Sequence, residues 1–204
     1  MNIVLLGPPA SGKGTCSEYL KKKCNMTHIS MGDLLRKVAK GDSRDAQLIN
    51  EVISQGKILS EDITADILQQ HLAKIGLYDN ILLDGYPRGM ISVELMKKFL
   101  KIDLVIVLEA SLEEIKKRVL NRLICPQCKS VYSKLNGTTI CDKCQTKLVA
   151  RNDDTEEILL TRMNEYQKFT MPVIEYYRKL GIVKFIDSQK DIYRQLDVII
   201  NKMY

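Results

Sequence analysis

The sequence predicts an α/β protein: a five-stranded parallel sheet with helices on both faces, carrying one small insert. Three observations lead there. Short apolar runs alternate along the chain with stretches of helical periodicity, which is the pattern of a parallel sheet built from β-α units. The first apolar run passes through a glycine-rich turn directly into a helix. One cysteine-rich stretch, Cys125–Ala150, breaks the alternation. At about 25–30 residues it is too small to bury a core of its own, so it reads as an insert.

The elements follow in order. Asn2–Leu6 is a buried strand that stops at Gly7-Pro8-Pro9, and a helix covers Lys13–Cys24. Met26–Ser30 is a second strand. Gly32–Ala39 and Ala46–Ser54 are short helices broken by Gly41-Asp42. Ser60 is placed to cap the next helix, which runs to about Lys74 with Ile63, Ile67 and Leu68 on one face. Ile81–Leu83 is a strand ending at Asp84-Gly85, and a helix covers about Ile91–Leu100. Leu104–Leu108 is the most strand-like run. Ser111-Leu112-Glu113-Glu114 spells a capping box for a helix to about Asn121. Helical periodicity resumes at Thr155, is bent or restarted at Pro172 and ends at Gly181. Ile182–Ile186 is the last strand, and a helix closes the chain.

Composition narrows the function. The 204 residues make one domain with an insert, and 27% charged with 45% hydrophobic residues is an ordinary globular balance. The net charge of +6 is modest and dispersed. It suits small anionic ligands such as nucleotides; a nucleic-acid binder concentrates its charge. The longest apolar runs, Ile3–Leu6 and Leu104–Leu108, are far short of the ~20 residues of a membrane helix. The opening MNIVLLGPP has no basic region and no cleavage-like segment. A cytoplasmic location without a membrane or nucleic-acid partner is expected, and the six cysteines need an explanation other than disulfides.

Gly7-Pro8-Pro9-Ala10-Ser11-Gly12-Lys13-Gly14-Thr15 has the Gly-x4-Gly-Lys spacing of a P-loop, between a strand and a helix. Gly12 and Gly14 let backbone N–H groups converge on phosphate oxygens, and the following helix adds its positive end. Lys13 adds a mobile charge. The hydroxyl comes one residue late, at Thr15, because Gly14 intervenes. A GTPase would call for an Asn-Lys-x-Asp motif, which is absent from the sequence.

Arginine is much scarcer than lysine here, and its placement is informative. Arg36 follows Ser30-Met31-Gly32-Asp33, and Arg88 closes Asp84-Gly85-Tyr86-Pro87 after a strand. Arg118 and Arg122 stand one turn apart before the insert, with Arg151 and Arg162 after it. Guanidinium groups converging on a P-loop from both sides would neutralise a transferring phosphoryl group. In the insert, Cys125-x2-Cys128 and Cys141-x2-Cys144 are two knuckles twelve residues apart. Four thiolates at this spacing suit a structural, tetrahedral Zn²⁺, whose binding energy would hold the insert folded. Asn136-Gly137 between them reads as a hairpin turn. Cys24 reads as a core residue, and Cys16 as a small buried side chain despite its place in the first turn of a helix.

With these motifs in this order, the chain resembles the adenylate kinases of the bacterial, long-lid type, over essentially its whole length. The resemblance rests on Gly7–Thr15, Ser30–Arg36, Gly56-Lys57, Leu83–Arg88, Arg118–Arg122, Arg151–Asp154 and Arg162. It implies that Ala10, Ser11, Gly12, Lys13, Gly14 and Thr15 hold the phosphates of ATP. Arg118 would lie against the ATP base with Val131-Tyr132 nearby, and Lys190 would offer its carbonyl to the adenine. The AMP site would comprise Met31, Arg36, Lys57, Ile58, Leu59, Gly85, Tyr86, Pro87, Arg88 and Ser92. Arg122, Arg151 and Arg162 would clamp the phosphoryl group in flight, and Asp33 and Asp84 would orient waters on Mg²⁺.

The resemblance further implies a core of 1–29, 60–121 and 154–204, a monophosphate-binding segment of 30–59 and a lid of 122–153. It implies a monomer with ATP and AMP as partners, and no general base; His28 and His71 are expected to be structural or surface residues. Met31 and Ser92 stand where the family usually has Thr and Gln, which implies looser selection of the base. The alternatives are a kinase for GMP, CMP or UMP, and a zinc-ribbon nucleic-acid-binding ATPase. Tyr132, the lone aromatic of the insert, offers the latter little base stacking.

Overall fold

In the computed structural model, which describes residues 1–41 and 44–202, five parallel strands form one sheet in the order β2-β3-β1-β4-β7. They are β1 (Ile3–Leu6), β2 (Thr27–Ser30), β3 (Ile81–Asp84), β4 (Leu104–Glu109) and β7 (Val183–Asp187). The alternation expected of a sheet covered on both sides is explicit. Val4 and Leu6 of β1 join Leu83, Val105 and Val107 in one core. Ile3 and Leu5 join Leu82, Leu104, Ile106 and Leu108 in the other. Every residue of β1 is buried, because helices cover both faces.

The helices are α1 (Lys13–Cys24), α2 (Met31–Val38), α3 (Arg44–Ser54), α4 (Glu61–Ile75), α5 (Met90–Met96), α6 (Leu112–Leu120), α7 (Glu156–Glu165), α8 (Met171–Lys179) and α9 (Ile192–Ile200). The expected break at Gly41-Asp42 falls partly outside the described residues, since Asp42 is among those not described. Between α7 and α8 lies a π-helical turn, Tyr166–Thr170. Pro172 sits in the first turn of α8, just past the π turn, and the helix runs through both without a break. The insert is a two-stranded antiparallel unit, β5 (Arg122–Ile124) with β6 (Val131–Ser133), extended by a bridge from Ile124 to Val149.

Several local expectations are corrected. The helix expected to Leu100 ends at Met96 and runs out as turns. Ser60 precedes α4, but its side chain makes no capping bond. The Ser111 hydroxyl does accept from Glu114 N, at 3.3 Å, yet the Glu114 carboxylate turns to Arg118 instead of closing the box. Asn136-Gly137 is not a hairpin turn: Gly137, at φ +68°, closes a 3₁₀ turn over Lys134–Asn136. Cys24, expected in the core, is only partly buried at its edge, whereas Cys16 is fully buried as expected and burial pushes its thiol up to about 12.

Since all five strands run the same way, their carboxyl ends lie along one edge. Residues 7–15, 30–36, 84–88 and 187–190 therefore leave the sheet side by side, where α/β sheets form their ligand crevices. Gly7 makes the first of these exits. Its φ is +147°, and a Cβ there would lie 2.6 Å from the Leu108 carbonyl oxygen, which is backbone and has no room to yield. Gly7→Ala is expected to cost about 2 kcal/mol or more. Thermal unfolding should show Tm lowered by about 4 °C or more.

Candidate active site

The phosphate loop turns on two residues with positive φ, Ala10 at +55° and Gly12 at +99°. Ser11 is buried, and a Cβ placed on Gly14 would meet nothing within 4 Å, so the first turn of α1 presents bare backbone to open space. Lys13 Nζ donates to the carbonyls of Gly7 and Pro8, both at 2.8 Å, which holds the charge over the loop. Burial draws its pKa from 10.5 down to about 8; Arg88 and Arg122 push the same way, and Asp84 opposes them. A phosphate at the loop would draw it up again.

The arginines converge here from separate stretches of chain. Arg88 sits at the floor of the cleft, open to water and yet ringed by protein. That enclosure, with Arg162 and Arg36 nearby, lowers its pKa against the pull of Asp84. Its Nε donates to Gly85 O at 3.0 Å, and Thr170 Oγ1 donates to its carbonyl at 3.1 Å. Arg151 is likewise lowered, by burial and by Arg36. Asp153 and Asp154 knit the others together. Arg122 forks onto Asp154, Nε to Oδ2 at 2.7 Å and Nη2 to Oδ1. Arg151 forks onto Asp153 with both contacts at 3.0 Å, and Arg162 donates to the same carboxylate.

In the segment expected to bind the monophosphate, Arg36 pairs with Asp33 at 2.7 Å within α2. Burial works to raise Asp33, but Arg36 overcomes it and holds the carboxyl below its usual range. The 56–59 segment rests on α7. A Cβ on Gly56 would lie 2.9 Å from Ile158 Cγ2, Ile58 N donates to Glu165 Oε2 at 3.0 Å, Leu59 is buried and Lys57 is exposed. Met31, Tyr86, Pro87 and Ser92 are buried. Ser92 N donates to Glu61 Oε2 at 2.6 Å, and Gly89 has no Cβ to collide with that carboxylate.

On the other side, Arg118 bridges the phosphate loop and the 187–190 loop. It donates to Ser188 O at 2.8 Å, Ser188 Oγ at 3.0 Å and Ala10 O at 3.4 Å. Lys190 lies in the same loop, its Nζ 3.1 Å from Asp187. Val131 and Tyr132 are not drawn to this loop by hydrogen bonds. Val131 is 61% exposed, and the Tyr132 hydroxyl is committed inside the insert, to Asp142 and to Cys141 Sγ.

In the insert, the four sulfur atoms of Cys125, Cys128, Cys141 and Cys144 all lie within 4.8 Å of one another. The pairs 125–144, 128–141 and 141–144 are separated by 3.8, 3.6 and 3.7 Å. Zn–S bonds of about 2.3 Å in a tetrahedron require sulfur separations of about 3.8 Å; a disulfide needs about 2 Å. The four thiols thus cluster at separations that could hold one metal ion and do not form disulfides.

Sequence reasoning missed the acidic partners. Glu61 and Glu165 act 31 and 107 residues away in sequence, so no local spacing marks them. Asp153 and Asp154 are adjacent to Arg151 and could have been read from that adjacency.

Fold and site together define a P-loop nucleotide-binding protein. The profile of the adenylate kinase family matches residues 5–182, and the chain belongs to that family. It is 37% identical to an adenylate kinase of Chlamydia pneumoniae, over 92% of this chain and 90% of that protein. It is 34% identical to those of Thermosipho melanesiensis, over 98% of both chains, and Finegoldia magna, over 100% of this chain and 97% of that protein.

Asp153 is the joint of the arginine cluster. Burial alone would raise its carboxyl, but Arg151 and Arg162 hold it at about 2, against 3.8 ordinarily. A depressed carboxyl stabilises the fold above its ordinary pKa, and the contribution is lost as pH falls from about 4 to 2. Asp153→Asn is expected to lower stability by about 2 kcal/mol at pH 7 and by much less at pH 2.5. Urea unfolding of both proteins at the two pH values checks this.

Proposed function

We propose that the protein transfers the terminal phosphoryl group of Mg·ATP to AMP, reversibly, giving two ADP. The observation that carries this is the crowd of cations at the phosphate loop. Lys13, Arg88 and Arg151 are each pulled toward their neutral forms by burial and by other cations. Such a basin is short of negative charge, and two nucleotide phosphates supply it. Membership of the adenylate kinase family supplies the identity of donor and acceptor.

A phosphate oxygen of AMP attacks the γ-phosphorus of ATP, and the bond to the β,γ-bridging oxygen breaks, leaving ADP. The attacking oxygen is already ionised, so no base is needed. The protein aligns two polyanions and screens their repulsion. In this reading Ala10–Thr15 hold the ATP phosphates, and Arg118 and Lys190 flank its base. Arg36, Lys57, Ile58, Leu59 and Gly85–Arg88 form the AMP site, with Met31 and Ser92 toward its base. Arg122, Arg151 and Arg162 exchange carboxylate partners for the phosphoryl group. Asp84, at the end of β3, and Asp33 would orient waters of the Mg²⁺ that accompanies ATP. Residues 30–59 and 122–153 close over the core and exclude water before transfer. A cytoplasmic monomer is part of the same reading.

A coupled assay of ATP with AMP, GMP, CMP and UMP tests the reaction. AMP should give the highest kcat/KM, with GMP and CMP as slower acceptors because Met31 and Ser92 offer fewer hydrogen bonds to the base. Lys13→Met should nearly abolish turnover in a folded protein, and Arg88→Ala should chiefly raise KM for AMP. Arg122→Ala should chiefly lower kcat. Full turnover by Lys13→Met would sink the assignment.

Zinc is the metal the four thiols suit best, and with no open ligand position it would be structural. Elemental analysis should find one Zn²⁺ per chain. Chelation or Cys128→Ser should unfold 122–153 first in hydrogen exchange, while the core retains ATP binding. A metal-free native protein would refute the zinc reading.

A further inference from the structure

β2 pairs with β3 so that Ser30 stands opposite Asp84 and His28 opposite Leu82. His28 is thus the diagonal neighbour of Asp84, within reach of a long side chain. Its Nε2 lies 3.6 Å from Asp84 Oδ2. That nitrogen is buried and has no hydrogen-bond partner among the described residues. A buried polar atom left unmatched costs free energy, and one in a native fold calls for a reason.

The carboxylate is equally short of a donor. Ser17 Oγ is 3.4 Å from Oδ2, but it lies 2.9 Å from Lys13 O, and its single proton goes to the nearer acceptor. Both approaches fall on Oδ2, and among the described residues Oδ1 receives no hydrogen bond from a side chain. An unmatched nitrogen therefore faces an under-supplied oxygen. The 3.6 Å gap is too short to hold a water between them; an approach of roughly half an ångström makes a normal hydrogen bond.

We propose that His28 is the positioning residue for Asp84: its Nε2–H donates to Oδ2, fixes the carboxylate rotamer, and leaves Oδ1 for a water of the incoming Mg·ATP. This rests on the reading of Asp84 given above. It assigns a role to a histidine that the reaction needs neither as acid nor as base.

The test uses His28→Leu, which fills the space without a donor, and His28→Gln, which keeps an N–H at similar reach. Calorimetry gives the affinity of each protein for Mg·ATP and for metal-free ATP, and steady-state kinetics gives kcat. His28→Leu should lose about tenfold in its preference for Mg·ATP and in kcat, as when a partner orienting a metal-site ligand is removed. Its affinity for metal-free ATP should hold, and His28→Gln should recover to within about threefold of wild type. In an Asp84→Asn background, His28→Leu should add nothing further. Equal impairment of the Leu and Gln variants, or an undiminished Mg·ATP preference in His28→Leu, overturns the proposal. If Asp84→Asn alone keeps the full preference for Mg·ATP, the reading of Asp84 fails, and the role of His28 fails with it.

Discussion

The gathering of partly desolvated cations at the phosphate loop is the constraint that the rest of the structure answers. Desolvation is the first cause lowering the pKa of Lys13, Arg88 and Arg151, and at least one neighbouring cation adds to it in each case. No fold concentrates charge in this way for stability; the cluster is tolerable because carboxylates offset it. Asp84 supports Lys13 and Arg88, and Asp153 and Asp154 neutralise Arg122, Arg151 and Arg162. The arginine forks are held in shapes that suit oxyanions. In the proposed reaction a phosphoryl group would meet guanidinium donors already oriented by these carboxylates.

The backbone meets the same constraint by drawing the cations from unrelated parts of the chain. Gly7, Gly12 and Gly85 all adopt positive φ where strands β1 and β3 leave the sheet. Tight exits at these points let Lys13 and Arg88 face one cleft from neighbouring strands. The remaining arginines come from α2, from the two ends of the cysteine insert and from α7. The insert has a core of little more than Cys125, Cys141 and Leu148. It gains rigidity only if the four thiols are tied together, and without that tie Arg122 and Arg151 would stand on a frayed base.

What the sequence made legible follows from the range of the interactions. The strands, the P-loop and the two cysteine knuckles are set by neighbours within a few residues, and the structure has them where spacing put them. Gly137 carries a turn signal that is real, but a 3₁₀ turn and a hairpin both use a residue of positive φ, and the local sequence does not separate them. Ser60 has the right residue type for a cap, yet its side chain makes no such bond. Glu61, the next residue, spends its carboxylate on the backbone of Ser92 instead. His28 looked unremarkable in a strand pattern, because its partner lies on the next strand, 56 residues away. Long-range partners of this kind are fixed by sheet register, and register is not written in any one segment.

The helical segment from Glu156 to Lys179 shows how one irregularity lets a single element serve three parts of the site. Arg162 reaches the Asp153 carboxylate, Glu165 holds Ile58 N of the monophosphate segment, and Thr170 holds the carbonyl of Arg88. Arg162 and Glu165 are three residues apart and share a face of α7. Glu165 and Thr170 are five apart. In an unbroken α-helix they would lie about 140° apart around the axis, and Thr170 would be turned well away from the face that Glu165 presents. The π turn Tyr166–Thr170, with its bonds from i to i+5, brings residues at that spacing nearly above one another. The wider turn also comes immediately before Pro172, whose ring and missing N–H already disfavour regular α-helical bonding there. Pro172 therefore stands beside the turn that aligns Thr170 with Glu165 and Arg162. One continuous helical segment thereby contacts the arginine cluster, the 56–59 segment and the Arg88 loop.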